Sequence, residues 1–244
     1  MATWFIADLH LSPVRPDITA LFQHFLTHQA RNAEALYILG DLFDAWIGDD
    51  DTSDFASTIQ TALRQLTQQG VPVYFMAGNR DFLIGPQFAQ QTGVQLLTEP
   101  TIIDLYGTPT LLLHGDTLCT DDVGYQRFRK IIRNPSLQRC LLALPLSMRM
   151  WIAKRLRAAS KTQQPLTQQQ LAIMDVNTDT VAETFMAHQV TQMIHGHTHR
   201  PAIHQHLLAN GQTAERIVVG DWYTQGSMLV VTPTSRELQT QPLQ

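Results

Sequence analysis

Short apolar segments recur along the chain, and a polar residue ends each of them. Segments of this length, rich in Ile, Val, Leu and Phe, are typical of strands that are buried on both faces. The pattern predicts six such strands, at residues 4–8, 35–41, 71–79, 110–114, 192–195 and 217–221.

Helical periodicity separates several of these strands. One apolar face runs along residues 17–31, and another begins after Ser53, a typical N-cap residue, and stops at Gly70. Alternating strands and helices predict an α/β layered fold with largely parallel pairing. Later apolar segments with few helices between them predict a second, more antiparallel sheet, at residues 102–103, 111–113, 217–219 and 228–231.

Residues 125–174 differ from the rest, with long apolar and basic helical patterns that Pro135 and Pro145 interrupt. We interpret this part as a helical cap insertion, residues 122–175, within a single domain that covers residues 1–244. Ten of the seventeen Lys and Arg residues lie between residues 121 and 161, although the whole chain has a net charge of −4. Such an asymmetry predicts that the cap insertion meets an anionic partner.

The composition, 44% hydrophobic and 16% charged, is that of a globular protein and argues against a disordered chain. Cys119 and Cys140 are too few for a disulfide scaffold and lack the spacing of a zinc site, so free thiols are expected. The N-terminus lacks a signal-peptide pattern, and no run of about 18 apolar residues occurs. These features predict a cytoplasmic protein without a membrane-spanning segment.

Polar side chains of metal-ligand type stand at the ends of five predicted strands. Taken singly, each has an ordinary explanation as a helix cap, a turn residue or a satisfied core histidine. Ligands gather at the carboxyl ends of strands in α/β sheets, however, and five independent turns would not all select such side chains. The candidates are Asp8, His10, Asp41, Asn79, His114, His195 and His197.

Seven such ligands are too many for one tetrahedral zinc ion but suit two metal ions that share a carboxylate. Carboxylate, amide and imidazole ligands without thiolate favour manganese, iron or zinc. Two ions about 3.5–4 Å apart hold the attacking and leaving oxygens of a phosphoryl displacement, and they lower the pKa of a bound water.

The order D-x-H, G-D, G-N-R-D, H-G-D and G-H-x-H, from Asp8 to His199, resembles that of the calcineurin-like metallophosphoesterases. The resemblance implies a sandwich of two mixed β-sheets flanked by helices, and two divalent metal ions, with Mn²⁺ expected. His199 matches no ligand position of the family. One ion would be held by Asp8, His10, Asp41 and His197, and the other by Asp41, Asn79, His114 and His195, with Asp41 as the bridge.

Arg80 stands where the broad family usually has a histidine that protonates the leaving group. An arginine cannot donate a proton at ordinary pH, but it can grip a phosphate with two N–H groups. The blocks ADLHL, LGDLFDAWIGDD, GNRDFLIG, LLHGDTLCTDD and MIHGHTHRP are similar to one branch of the family. That branch cleaves the diphosphate of UDP-2,3-diacylglucosamine, in lipid A biosynthesis, to 2,3-diacylglucosamine 1-phosphate and UMP. The likeness implies catalytic roles for Asp41, Asn79, Arg80 and His195, and substrate contacts by Asn79, Arg80, Asp122, Ser160 and His195.

A diacylated diphosphate needs an apolar groove for its acyl chains and cations for its phosphates, and the amphipathic helices of the cap insertion offer both. Helices of this kind also bind membrane surfaces, so we expect peripheral contact with the cytoplasmic face of the bacterial inner membrane. Nucleic acid is not expected as a partner, because the cap insertion is apolar and basic, whereas a nucleic-acid surface would carry aromatic stacking residues throughout its basic segment. The sequence leads to no inference of an obligate protein partner. Two alternatives remain: a phosphoesterase for another nucleotide diphosphate, and a non-catalytic scaffold, which would not need the full ligand set.

Overall fold

The computed structural model describes residues 2–160 and 173–243, without the side chains of Ala159 and Ser160. Within these residues the chain forms eleven strands. In chain order they are β1 (Thr3–Ile6), β2 (Ala35–Leu39), β3 (Val73–Met76), β4 (Gln95–Leu97), β5 (Thr101–Leu105), β6 (Thr108–Leu112), β7 (Gln192–His195), β8 (Ala202–Leu207), β9 (Thr213–Val218), β10 (Gln225–Val231) and β11 (Arg236–Pro242).

The strands form two mixed sheets, as the resemblance implied. The first has the order β11-β10-β1-β2-β3-β4, in which β1 to β4 are parallel and β10 runs antiparallel to both of its neighbours, β1 and β11. The second has the order β5-β6-β7-β9-β8, in which β6, β7 and β9 are parallel and the edge strands β5 and β8 antiparallel.

The second sheet is more antiparallel than the first, as predicted, because two of its four described strand pairings are antiparallel, against two of five in the first sheet. Its centre is parallel, because the long connection between β6 and β7 allows a crossover that a hairpin does not. One expectation about this sheet was wrong. Residues 228–231 belong instead to the first sheet, where β10 pairs with β1. Leu229 faces the second sheet and Met228 faces the helices, so both sides of β10 are buried.

The described residues also form seven α-helices: α1 (Pro16–His28), α2 (Asp54–Gln68), α3 (Pro86–Thr92), α4 (Val123–Ile132), α5 (Pro135–Leu142), α6 (Leu146–Ser160) and α7 (Thr178–His188). Helices α1 to α3 pack on the outer face of the first sheet, and α7 packs on the second. The Ser53 hydroxyl accepts a hydrogen bond from the N–H of Ala56, and Gly70 adopts a φ of 92°, so both predicted ends of α2 are confirmed.

Helices α4 to α6 lie in the cap insertion, whose residues 161–172 are outside the described part. No helix among the described residues is long and apolar enough to cross a bilayer. Cys119 is buried and Cys140 is exposed, and both thiols are free, as expected.

Candidate metal centre

The candidate ligands follow strands whose carboxyl ends lie at one edge of the two packed sheets. Several of them have a left-handed backbone, which is uncommon for residues other than glycine: φ is 55° at Asp8, 50° at His10, 53° at Asp41 and 69° at His197. Asp and His tolerate this conformation better than branched residues do, and such strain clusters at functional sites. These sharp turns carry the polar side chains into the space between the sheets.

Glycines beside the ligands allow the strand ends to approach one another. A side chain at Gly78 would collide with the carboxylate of Asp41, and a Cβ at Gly196 would lie 2.5 Å from Oδ2 of Asp8. Steric crowding therefore explains why glycine precedes Asn79 and His197 in the G-N and G-H motifs.

Two groups of ligand atoms converge there among the described residues. Asp8, His10 and His199 form one group, Asp8, Asp41 and His114 form the other, and within each the ligand atoms lie within 4.8 Å of one another. Asp41 lies between the two histidines: its Oδ2 is 3.9 Å from Nδ1 of His10, and its Oδ1 is 3.9 Å from Nε2 of His114. A carboxylate in this position can reach two ions.

Asn79 joins two further imidazoles to this arrangement. Its Oδ1 lies 3.0 Å from Nε2 of His114 and 3.1 Å from Nδ1 of His197. Turned by 180°, the same amide would donate to both nitrogens and to Oδ2 of Asp41, which suits a site without a cation. With the oxygen inward, three ligand atoms face a common space, as metal coordination requires.

His195 is oriented differently and belongs to neither group of three. Its Nδ1 lies 2.8 Å from the carbonyl oxygen of Gly196, and its Nε2 lies 3.1 Å from a guanidinium nitrogen of Arg216. Because a guanidinium only donates, Nε2 is the acceptor and the proton is on Nδ1. His195 therefore has to give up one of these partners before it can ligate an ion.

The pKa values of the buried groups at the centre are those of a site suited to binding cations. Burial, with a contribution from Asp81, raises the pKa of Asp41 to about 7 against the opposing effect of His114. Burial lowers the pKa of His114, but Asp41 and other carboxylates outweigh it and raise that pKa to about 9. Burial lowers the pKa of His10 to about 3 and that of His197 to about 4, so both imidazoles are neutral at neutral pH, the form that can bind a metal ion.

The donor set therefore fits divalent metal ions. Nδ1 of His10 is buried and has no hydrogen-bond partner among the described residues. An uncompensated buried polar atom is costly, and a metal ion would satisfy it.

Metal binding is expected to strengthen with pH, because an ion must displace the protons held by Asp41 and His114. The pKa values of about 7 and about 9 are both raised, so both groups are mostly protonated at about pH 6. The apparent affinity for Mn²⁺ should rise at least tenfold per unit between about pH 6 and pH 7, and level off only above about pH 9. Titration calorimetry in two buffers of different ionisation enthalpy would count the released protons. A dissociation constant independent of pH would contradict this.

Three of the five substrate-binding candidates, Asn79, Arg80 and Asp122, line a cavity of about 550 Å³ between the cap insertion and the centre, whereas His195 is not among the lining residues. Oδ1 of Asp122 also caps α4 by accepting the N–H of Tyr125 at 2.9 Å. The side chain of Ser160 is outside the described part. Most of the lining is apolar, and includes Trp46, Ile47, Phe82, Phe128, Ile152 and Leu156.

Sequence reasoning missed several residues that support the centre. His199, set aside by the ligand pattern, lies 3.4 Å from Asp8 Oδ1 and 3.2 Å from Asp221. Burial opposes its charge, but the neighbouring carboxylates of Asp221 and Asp8 outweigh this effect and raise its pKa to about 10. Asp81 and Asp116 are fully buried. They belong to the motifs G-N-R-D and H-G-D, respectively, and this position in a motif was the one feature of the sequence that could have identified them. Arg216, on β9, has no such feature.

Comparison with known proteins agrees with this geometry. Residues 1–201 match the calcineurin-like phosphoesterase family. The chain is 54% identical over 243 residues to a Salmonella arizonae protein named UDP-2,3-diacylglucosamine hydrolase, with 100% of both chains covered. It is 56% identical over 242 residues to a Pectobacterium carotovorum protein of that name, covering 99% of this chain and 100% of the relative. An Escherichia coli protein of the same name is 54% identical over 238 residues, 98% of each chain.

Proposed function

This chain belongs to the calcineurin-like phosphoesterases, and from that we propose that it hydrolyses the diphosphate bond of UDP-2,3-diacylglucosamine, releasing UMP and 2,3-diacylglucosamine 1-phosphate. It is a hydrolase that acts on a phosphorus anhydride. The observation that carries the choice of substrate is the apolar cavity that adjoins the ligand cluster, shares Asn79 and His197 with it and is also lined by Arg80. A diphosphate joined to acyl chains needs these two environments side by side.

Two Mn²⁺ ions are proposed, one held by Asp8, His10, Asp41 and His197, and the other by Asp41, Asn79, His114 and His195. The position of Asp41 between His10 and His114 supports its role as the bridge. Bound divalent ions would activate a water molecule and neutralise the charge of the diphosphate.

The chain's own side chains would bind and orient the substrate. Arg80 lines the cavity, where its guanidinium can take two oxygens of the sugar-linked phosphate, a leaving group that needs no proton. Asp122 and Ser160 are proposed to contact the glucosamine, together with Asn79 and His195. Asp41, Asn79, Arg80 and His195 form the proposed catalytic set.

The whole of residues 1–244 is proposed to act as one domain, with residues 122–175 as the cap over the substrate. Outside the cavity the cap insertion exposes apolar side chains such as Ile131, Met148 and Trp151 beside cations such as Arg155. An exposed face of this composition suits peripheral contact with the anionic cytoplasmic surface of the inner membrane, where a lipid substrate would be met.

An assay of the purified protein with Mn²⁺ tests the proposal. UDP-2,3-diacylglucosamine is compared with UDP-N-acetylglucosamine and with bis-p-nitrophenyl phosphate. Because each buried methylene contributes about 0.8 kcal/mol, we expect kcat/KM for the diacylated substrate to be at least a hundredfold higher. Ala153→Phe, which fills the cavity, should reduce this preference, while Ala143→Phe on an exposed helix end should not. Equal rates on both UDP-sugars would favour a phosphoesterase for other nucleotide diphosphates.

Arg80→Lys is expected to lower kcat/KM by about tenfold or more without changing metal content. A lysine keeps the charge but cannot bind two phosphate oxygens in the plane that a guanidinium offers. Steady-state kinetics and elemental analysis measure the two effects. Kinetics like those of the wild type would mean that Arg80 lines the cavity without binding the phosphate.

A further inference from the structure

Helix α4 and the residue that caps its C-terminus present three side chains at four-residue spacing to the core: Tyr125 and Arg129 in the helix, and Arg133 as the cap. Residues at i, i+4 and i+8 lie on one face of a helix. The side chains of Arg129 and Arg133 extend toward two different loops, and each loop carries a residue of the candidate metal centre.

Arg129 binds the loop that carries His114. Its Nε donates to Oδ2 of the fully buried Asp116 at 2.7 Å, and its terminal nitrogen donates to Oε2 of Glu99 at 2.7 Å. The other oxygen of Glu99 accepts the backbone N–H of His114 at 2.8 Å. The hydroxyl of Tyr125 adds a 2.6 Å hydrogen bond to Asp116. Arg129 thus holds Glu99, which binds the backbone of His114, and Asp116, which lies two residues after His114 in the same loop.

Arg133 binds the loop that carries Asn79. A terminal nitrogen donates to the carbonyl oxygens of Ala77 at 3.0 Å and Gly78 at 2.9 Å, and the guanidinium lies 5.9 Å from the ring centre of Phe82. These two carbonyls directly precede Asn79, so the contact limits where its side chain can lie.

Asn79 and His114 meet at the centre, with 3.0 Å between Oδ1 and Nε2. We propose that Arg129 and Arg133 are positioning residues that set the spacing of Asn79 and His114, and thereby couple the seating of the cap insertion to the affinity of one metal site. The inference rests on the proposed function in one respect, namely that these two side chains share an ion.

The coupling is reciprocal, because an ion that is bound more tightly when α4 is seated must also stabilise the seated helix. Asp122, the proposed sugar contact, caps the same helix. Substrate in the cavity would therefore be linked to metal affinity through α4.

Metal binding measured without substrate tests the proposal. Titration of the full chain with Mn²⁺ should give an affinity ten- to a hundredfold lower at one of two sites in Arg129→Gln and in Arg133→Gln, the range seen when groups behind metal ligands are removed. The other site should stay within about threefold of the wild type. Arg127→Gln, on the exposed side of α4, is the matched control.

Two further measurements separate positioning from simple stability. Mn²⁺ should slow amide hydrogen exchange in α4 of the wild type, and this protection should be lost in the double variant. Arg129→Gln leaves the buried Asp116 without its partner cation and could unfold the loop. Arg133→Gln removes two hydrogen bonds to carbonyl groups and a cation–π contact with Phe82 but leaves no buried charge unpaired, so it keeps the test valid.

The possible failures are distinguishable. A wild type that binds no Mn²⁺ would refute the proposed metal centre itself. A wild type with two sites and variants of unchanged affinity and exchange would overturn only the coupling through α4.

Discussion

Replacing Asp41 by alanine is expected to abolish turnover and to lower bound metal more than any other single substitution in the centre. Its carboxylate lies 3.9 Å from both His10 and His114 and would be lost to both ions at once. Several kcal/mol of charge stabilisation would disappear from the reaction, so kcat should fall on the order of a thousandfold or more. Turnover with Mn²⁺ and elemental analysis of the dialysed protein measure the two losses.

His10→Ala is the informative comparison, because it removes a ligand from one ion only and should leave the second bound. Asp54→Ala, at the exposed first turn of α2, controls for the loss of a carboxylate elsewhere. If the Asp41 variant kept two ions and near-normal activity, the dinuclear interpretation would have to be abandoned.

The sequence was sufficient for features that depend on neighbouring residues. The ends of α2 follow from Ser53 and Gly70, because capping and left-handed termination act within a few residues. The five motifs were enough to predict that the candidate ligands lie at one edge, since the carboxyl ends of parallel strands meet there.

What the sequence could not supply depends on contacts between distant segments. The two faces of β10 are both apolar, and nothing local says which sheet it joins. Arg216 reaches His195 from a neighbouring strand, and His199 meets Asp8 only because the turn at 195–199 folds back on β1. Arg129 likewise forms ion pairs with both Glu99 and Asp116, which belong to different segments of the chain.

The carboxylate of Asp81 also depends on contacts between segments that are distant along the chain. It is fully buried and accepts backbone N–H groups from two loops: Oδ1 from Gly78 at 2.8 Å and Asp41 at 3.3 Å, and Oδ2 from Leu42 at 2.7 Å and Phe43 at 3.4 Å. These loops carry Asn79 and the proposed bridging ligand. Asp81 therefore joins the ends of β2 and β3 where a ligand set is assembled.

Asp81→Ala is expected to lower the free energy of unfolding by about 4 kcal/mol, because it leaves buried N–H donors without an acceptor. Urea denaturation of the metal-free protein measures this loss. Asp104→Ala is the control, since its carboxylate accepts one N–H, that of Gly107 at 2.6 Å, in an exposed turn, and its loss should cost less than about 1 kcal/mol. Asp81→Asn keeps the volume and one acceptor oxygen, and should lie between the two. If Asp81→Ala were no more destabilising than Asp104→Ala, the two loops would be held by their backbone contacts alone, and the burial of this carboxylate would need another cause.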